Sequence, residues 1–225
     1  EQEFALADAE PVSATRHNRN IEVNAPYVAE MVRQQLYEVY GEATYTQGFE
    51  VITTIDSQRQ REANAALVNG LENYYDKRHG YRGTTTNLAP LPDEDQSQLR
   101  ARWLEALEPV PDYGNQQPAI VTAVGARSFD ALLGDGSEIV VPWEGISWAY
   151  AFRSRNEAWP PPQSASDVVS LGDLIRVRQS SDGWELGQVP EIQGALVSMR
   201  PSNGELVALV GGYDFRRSQV NRVLT

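Results

Sequence analysis

The chain has 225 residues, 41% of them hydrophobic and 9% aromatic, enough for one large or two smaller cored domains, which excludes a low-complexity tail. Its formal net charge of −12 argues against nucleic acid and anionic lipid, because binding a polyanion needs clustered lysine and arginine. With no cysteine there is no disulfide framework and no thiolate chemistry, and no apolar run approaches the roughly 18 residues that suggest a membrane span.

Residues 1–24 carry little periodicity and lack the charged-then-apolar pattern of a signal peptide. In NAPYVAEMVRQQLYEVYGE, the residues Tyr27, Val28, Met31, Val32, Leu36, Val39 and Tyr40 recur at three- and four-residue steps, which predicts a helix. Asn24 is placed to cap it, Pro26 suits its first turn and Gly41 its end. GFEVITTID alternates and is rich in β-branched residues, so a strand is expected over Phe49–Ile55. Asp56 or Ser57 then caps a second helix. Ser57 with Gln60 offers a capping box, and Ala63, Ala66, Leu67, Leu71 and Tyr74 form the expected buried face.

Glycine, proline and threonine in DKRHGYRGTTTNLAPLPDEDQ mark a boundary. A short helix with Leu99, Trp103, Leu104 and Leu107 on one side follows. From Ala119 the period becomes two. AIVTAVGA, FDALLG, SEIVVPW, DLIRVRQ and WELGQV read as short strands, with tight turns at Gly134-Asp135-Gly136 and Ser181-Asp182-Gly183. Five such strands predict a small, closed or nearly closed OB-type barrel, with SRNEAWPPPQSAS as a proline-stiffened loop. The tail predicts a hairpin with arms Ala195–Met199 and Leu206–Val210, turning at Pro201–Gly204. Its arms are nearly continuous apolar runs, so cover is expected on both faces. Val51, Ile55, Val207 and Leu209 are expected to share a sheet outside the barrel.

These stretches carry a resemblance. ALVSMRPSNGELVALVGGYDFRRSQVNR resembles the opening of the transpeptidase domain in bifunctional class A penicillin-binding proteins, and more narrowly their 1A type. MVRQQLYEVYGE, GFEVITTID and RHGYRG resemble the segment linking the glycosyltransferase to the transpeptidase. LLGDGSEIVVPWEGISWAYAFRSR and GDLIRVRQ…WELGQVPEIQGALVSM resemble the OB-like domain inserted in the 1A type. The resemblance implies an α+β chain with an inserted all-β OB-like barrel. Residues 1–82 would be linker and N-terminal elements of the transpeptidase region. Residues 83–190 would be the inserted domain, with its barrel over about 115–190, and residues 191–225 the first hairpin of the transpeptidase sheet.

The family's activity implies a peptidoglycan synthase, which polymerises lipid-linked disaccharide-peptides and crosslinks their stem peptides through an acyl-serine, the species penicillin traps. It would stand on the periplasmic side of the bacterial inner membrane, with its glycosyltransferase and membrane anchor upstream. The family's S-x-x-K serine follows shortly after the pattern matched by Gln219-Val220-Asn221-Arg222, so this chain is expected to stop just short of it.

The residues agree that the catalytic machinery is absent. No serine has a lysine three positions later, and there is no K-T-G. The sole lysine, Lys77, reads as a solvated cation at a helix end. Asp93-Glu94-Asp95 reads as a solvated acidic loop, because no calcium-loop glycine pattern surrounds it. His17 and His79 lie far apart with no cysteine to complete a zinc site. Gly211-Gly212 reads as a strand end and not a phosphate cradle. Catalytic, cofactor-binding and metal residues are therefore all expected to be absent.

One stretch invites a function. Trp143, Trp148, Tyr150, Phe152 and Trp159 crowd together near Arg153 and Arg155. Barrel core and loop packing would account for them. A protein-docking patch centred on Trp143, Trp148, Arg153, Arg155 and Trp159 is the sharper reading, since tryptophan and arginine often carry interface energy. The resemblance adds that the corresponding domain of the enterobacterial 1A type docks an outer-membrane lipoprotein activator. Expected partners are thus the rest of the same synthase, its peptidoglycan precursors and a periplasmic or outer-membrane regulator, with no nucleic acid. The competing readings are a stand-alone OB-type module for nucleic acid or glycan, and an independent hydrolase, for which no nucleophile–base pair is present.

Overall fold

The computed structural model describes residues 21–154, 157–158 and 160–224. Helix α1 spans Pro26–Tyr40 and ends at Gly41, whose φ of +54° suits glycine, as its position in the sequence implies. Asn24 does not cap it. Ala25 is the N-cap, and the Asn24 carbonyl instead accepts from Asn64 Nδ2 at 2.7 Å. Of the predicted apolar stripe only Tyr27 is buried, while Val39 and Tyr40 face solvent. A four-residue α2, Ala43–Thr46, follows.

The expected strand over Phe49–Ile55 does not form a ladder. This stretch runs beside the tail hairpin, but only Thr54 Oγ1 to the Leu206 carbonyl (2.7 Å) and Asp56 N–H to the Val207 carbonyl (3.0 Å) join them. Phe49, Val51 and Ile52 stay exposed, so β-propensity alone does not hold the segment in a sheet.

Helix α3, Ser57–Asn69, is capped by Asp56, which accepts from Arg59 N–H at 2.9 Å. The Ser57–Gln60 capping box does not form, because Gln60 is buried and turned toward the hairpin. After Asn69 the helix widens into a π-helical segment, Gly70–Asp76, and closes with a last turn at Lys77–His79. The wider turn shifts the buried face by one residue. Leu71, Glu72 and Asp76 point inward and Tyr74, expected inside, is exposed; Ala66, also expected inside, is exposed ahead of the wide turn.

Five antiparallel strands form the next unit: β1 Gln116–Val124, β2 Ser128–Leu133, β3 Glu138–Pro142, β6 Leu174–Ser180 and β7 Gly183–Gly187, in the order β3-β2-β1-β6-β7. A bulge between Val121 and Ala123 bends β1, and the sheet curls until its edge strands β3 and β7 meet. Gly145, just past β3, lies so close to β7 that a Cβ there would stand 2.5 Å from the Trp184 carbonyl oxygen. The interior holds Val121, Phe129, Ala131, Val141, Ile146, Val177 and Leu186, all essentially inaccessible. Helix α4, Gln96–Leu107, packs Trp103 and Leu107 onto Ile120 and Leu132 on the other face of the sheet. Its start is fixed by a capping box between Asp95 and Gln98.

The insertion SRNEAWPPPQSAS is more structured than a plain loop. It carries part of a small hairpin, β4 Phe152–Ser154 with β5 Glu157–Ala158, and a 3₁₀ turn, Ala165–Asp167, capped by Ser164.

The tail hairpin forms as β8, Leu196–Met199, and β9, Leu206–Val210, with Gly204 at φ +76° in its turn. Cover falls on one arm. β9 is buried from Val207 to Val210, whereas Val197 and Met199 on β8 are exposed. Helix α3 supplies part of that cover through Ala63 and Leu67 against Ala208, Val210 and Leu196. Gln60 seals the outer edge of β9: its Nε2 donates to the Leu209 carbonyl and its Oε1 accepts from Leu209 N–H, both at 2.9 Å. The elements before and after the barrel therefore share one core.

Candidate functional site

Two regions of the chain concentrate chemistry. The first is the aromatic stretch on the barrel. Trp143 opens a 3₁₀ turn after β3, half-buried against the barrel core, with the Arg127 guanidinium 4.1 Å from its ring centroid. Trp148 packs on the same core, edge-on to buried Tyr81 at 6.1 Å, with Lys77 Nζ 5.5 Å from its ring. Tyr150 donates its hydroxyl to the Lys77 carbonyl at 2.8 Å. Phe152 and Arg153 are exposed on β4. The described part of the stretch thus divides into two inward-packed tryptophans and an outward strand. Arg155 and Trp159 lie outside the described residues.

The second region is the junction where the barrel meets the π-helical segment, and it was not foreseen. The chain enters the barrel at Gly80–Arg82 and leaves it at Gln188–Val189, and these ends are zipped together. Gln188 donates to the Gly80 carbonyl at 2.8 Å and accepts from Arg82 N–H at 3.0 Å. Arg82 grips Asp76 with both guanidinium nitrogens, at 2.8 and 2.9 Å, and reaches the Val189 carbonyl at 2.8 Å.

Deeper in, Glu72 is 4% exposed. Its Oε1 accepts from Gln116 Nε2 at 2.7 Å and from the Tyr213 hydroxyl at 2.5 Å, and its Oε2 accepts from Arg178. Arg178 also donates to Glu185 at 2.9 Å and to Asn73 at 2.5 Å. Lys77 is not a free solvated cation, because it pairs with Glu185 at 2.8 Å across the junction. Burial pushes the Glu185 carboxyl up, but its bonds to Lys77 and Arg178 outweigh this and hold it at about 2. Burial, then the Glu72 charge, pushes the Tyr213 phenol well above its ordinary value. Gln116 Oε1 and Trp148 Nε1 have no protein partner, and both residues line a cavity of about 10 Å³ in this junction, room for one water molecule.

The other candidates resolve simply. Glu94 pairs with Arg102 at 2.7 Å and accepts from Leu91 N–H, which holds its carboxyl near 2, while Asp95 caps α4; the acidic run is therefore structural and not merely solvated. His79 Nδ1 lies 2.7 Å from the Tyr75 carbonyl, and His17 lies outside the described residues. Gly211 and Gly212 press against Tyr27, where a Cβ would collide with the ring, so they serve close packing. A groove of about 700 Å³ between α1, α3 and the end of β9 includes Tyr27, Gln60, Asn64 and Asp214, but no serine, cysteine, lysine or histidine.

Residues 81–192, which contain the curled sheet, match the penicillin-binding protein OB-like domain, and that defines the class. The chain is 40% identical over 99% of its length to penicillin-binding protein 1A of Escherichia coli, and 39% identical over its whole length to that of Pseudomonas aeruginosa. The solved structure of penicillin-binding protein 1A from Haemophilus influenzae matches 99% of the chain with a TM-score of 0.77 at 33% identity. The chain belongs to the penicillin-binding proteins of the 1A type. It spans about a quarter of the curated relatives (26%) and 30% of the solved chain.

Proposed function

We propose that this chain is the non-catalytic portion of a bacterial cell-wall synthase, and that its OB-like insertion docks a periplasmic regulator. In full length such a synthase polymerises glycan strands and crosslinks stem peptides through an acyl-serine. The proposed division is the one the resemblance implies: residues 1–82, 83–190 and 191–225. The synthase works on the periplasmic face of the inner membrane; among the described residues no helix is long and apolar enough to cross a membrane.

The observation that carries this reading is the interrupted core. Gln60 on α3 and Leu209 on β9 share two hydrogen bonds, yet the whole barrel lies between them in sequence. A barrel inserted there can be gripped from outside without entering that core. A partner that binds two arrangements of the junction unequally shifts their balance. The outward strand with Phe152 and Arg153, together with Arg155 and Trp159, is the proposed contact.

A nucleic-acid module is less well supported. Arg100, Arg102 and Arg178 are paired with Glu138, Glu94 and Glu72, and Arg176 is bonded to the Pro111 carbonyl. Such engaged arginines do not make an open basic groove.

Two measurements test the proposal. Fluorescent penicillin should label the full-length synthase but not this 225-residue chain; stoichiometric labelling of the chain overturns the non-catalytic assignment. In the full-length synthase, the ratio of regulator-stimulated to unstimulated crosslinking should fall toward one in Arg155→Ala and Trp159→Ala. An unchanged ratio in both moves the contact elsewhere on the barrel.

A further inference from the structure

Glu72 joins three parts of the chain that are remote in sequence. It sits on the π-helical segment, Gln116 and Arg178 reach it from β1 and β6, and Tyr213 reaches it from just beyond β9. The π geometry turns Glu72 and Asp76 to the barrel side, and Asn73 contributes its side-chain oxygen to Arg178. Wide π turns within helices recur at functional sites.

A second contact lies alongside. Gly114 N–H, at the entrance to β1, donates to Asp214 Oδ2 at 2.8 Å, and a Cβ on Gly114 would stand 2.7 Å from the Tyr213 hydroxyl oxygen. The barrel and the segment after β9 are therefore fitted to each other at atomic distance, and not merely tethered through the chain.

We propose that Glu72 is the pin of a mechanical joint that carries displacements of the barrel to the end of β9. A buried carboxylate cannot release its donors without facing an apolar surround. When β6 shifts, Arg178 and Gln116 therefore draw Glu72 with them. Glu72 in turn draws Tyr213, three residues past the end of β9. Gly211 and Gly212 lie between, packed against Tyr27, and pass the shift to the α1 side of the hairpin core.

The joint goes beyond the docking proposal and does not need it, since it rests on contacts within this chain. Its test uses the chain alone, by hydrogen exchange of backbone amides in the wild type, Tyr213→Phe, Arg178→Lys and the double variant. Tyr213→Phe removes the donor to Glu72 from the tail side, and Arg178→Lys weakens the barrel-side one together with the bonds to Glu185 and Asn73.

Losing a hydrogen bond to a buried charge should raise opening, and hence exchange, about tenfold. The joint requires that rise on the far side. Tyr213→Phe should speed exchange in β6 and β7, and Arg178→Lys should speed it at residues 207–213. The double variant should add little to the larger single effect, because both changes act through one carboxylate. Exchange that rises only beside each substitution, or effects that multiply independently, overturns the joint. If Arg178→Lys fails to fold, Gln116→Met takes its place as the barrel-side change with the same two outcomes. Because no regulator is present, failure here leaves the docking proposal standing, and an unchanged stimulation ratio leaves the joint standing.

Discussion

Gln60→Ala should be among the most damaging changes outside the barrel. Gln60 is 1% exposed, and its amide satisfies both the N–H and the carbonyl of Leu209 on β9. Truncation leaves two buried backbone groups without partners, each costing about 1–3 kcal/mol. Some water will reach the strand edge, so the total should be about 3 kcal/mol, or roughly 6–12 °C in Tm for a domain of this size. Gln60→Met fills the same space without either bond and should lose most of the same stability, which separates hydrogen bonding from packing. Urea unfolding followed by helical circular dichroism measures the loss, and exchange at the Leu209 amide locates it. All five tryptophans lie between Trp103 and Trp184, so fluorescence reports the barrel separately. A loss below about 1 kcal/mol with the Leu209 amide still protected would refute the reasoning.

Three further outcomes follow from the structure. Trp103→Ala should destabilise the barrel by about 3–5 kcal/mol in chemical denaturation, because the ring is buried between α4 and the sheet, whereas Trp103→Phe should lose mainly the bond from Nε1 to the Leu88 carbonyl, about 1 kcal/mol. Glu185 has a folded-state carboxyl at about 2 against an ordinary 4.5, so the unfolded chain takes up its proton first. Its contribution is complete above pH 4.5 and is lost as pH falls toward 2; acid titration of Glu185→Gln should therefore show a shallower decline over that window than the wild type. Gly212→Ala should cost about 1–3 kcal/mol by driving a methyl into the Tyr27 ring, and Tyr27→Phe, which removes the nearest oxygen, should recover part of it in thermal melts.

The barrel strands were legible because alternation and turn glycines are local signals. AIVTAVGA through WELGQV map onto β1, β2, β3, β6 and β7, and Gly136 and Gly183 sit at positive φ in the turns between them. The helices around Leu36, Ala63 and Trp103 were legible for the same reason. The failures also have physical causes. Phe49–Ile55 has strand composition but joins its neighbour by two bonds, so it does not become a ladder strand. Tyr74 kept its place in a 3.6-residue pattern that the π turn broke.

Of the candidate docking residues, nothing in the sequence distinguished Trp143 and Trp148, which pack on the barrel core, from Arg153, which faces outward, since all three lie in one aromatic run. The sequence by itself determined the five barrel strands, the three longer helices, the lack of any serine with a lysine three positions later, and the family. Only the tertiary structure decided where charge goes inside. Glu72, Gln116, Arg178 and Tyr213 are spread over 142 positions and look like ordinary surface residues one at a time. Burial makes each of them dependent on the others, because a carboxylate removed from water must find donors wherever the fold brings them.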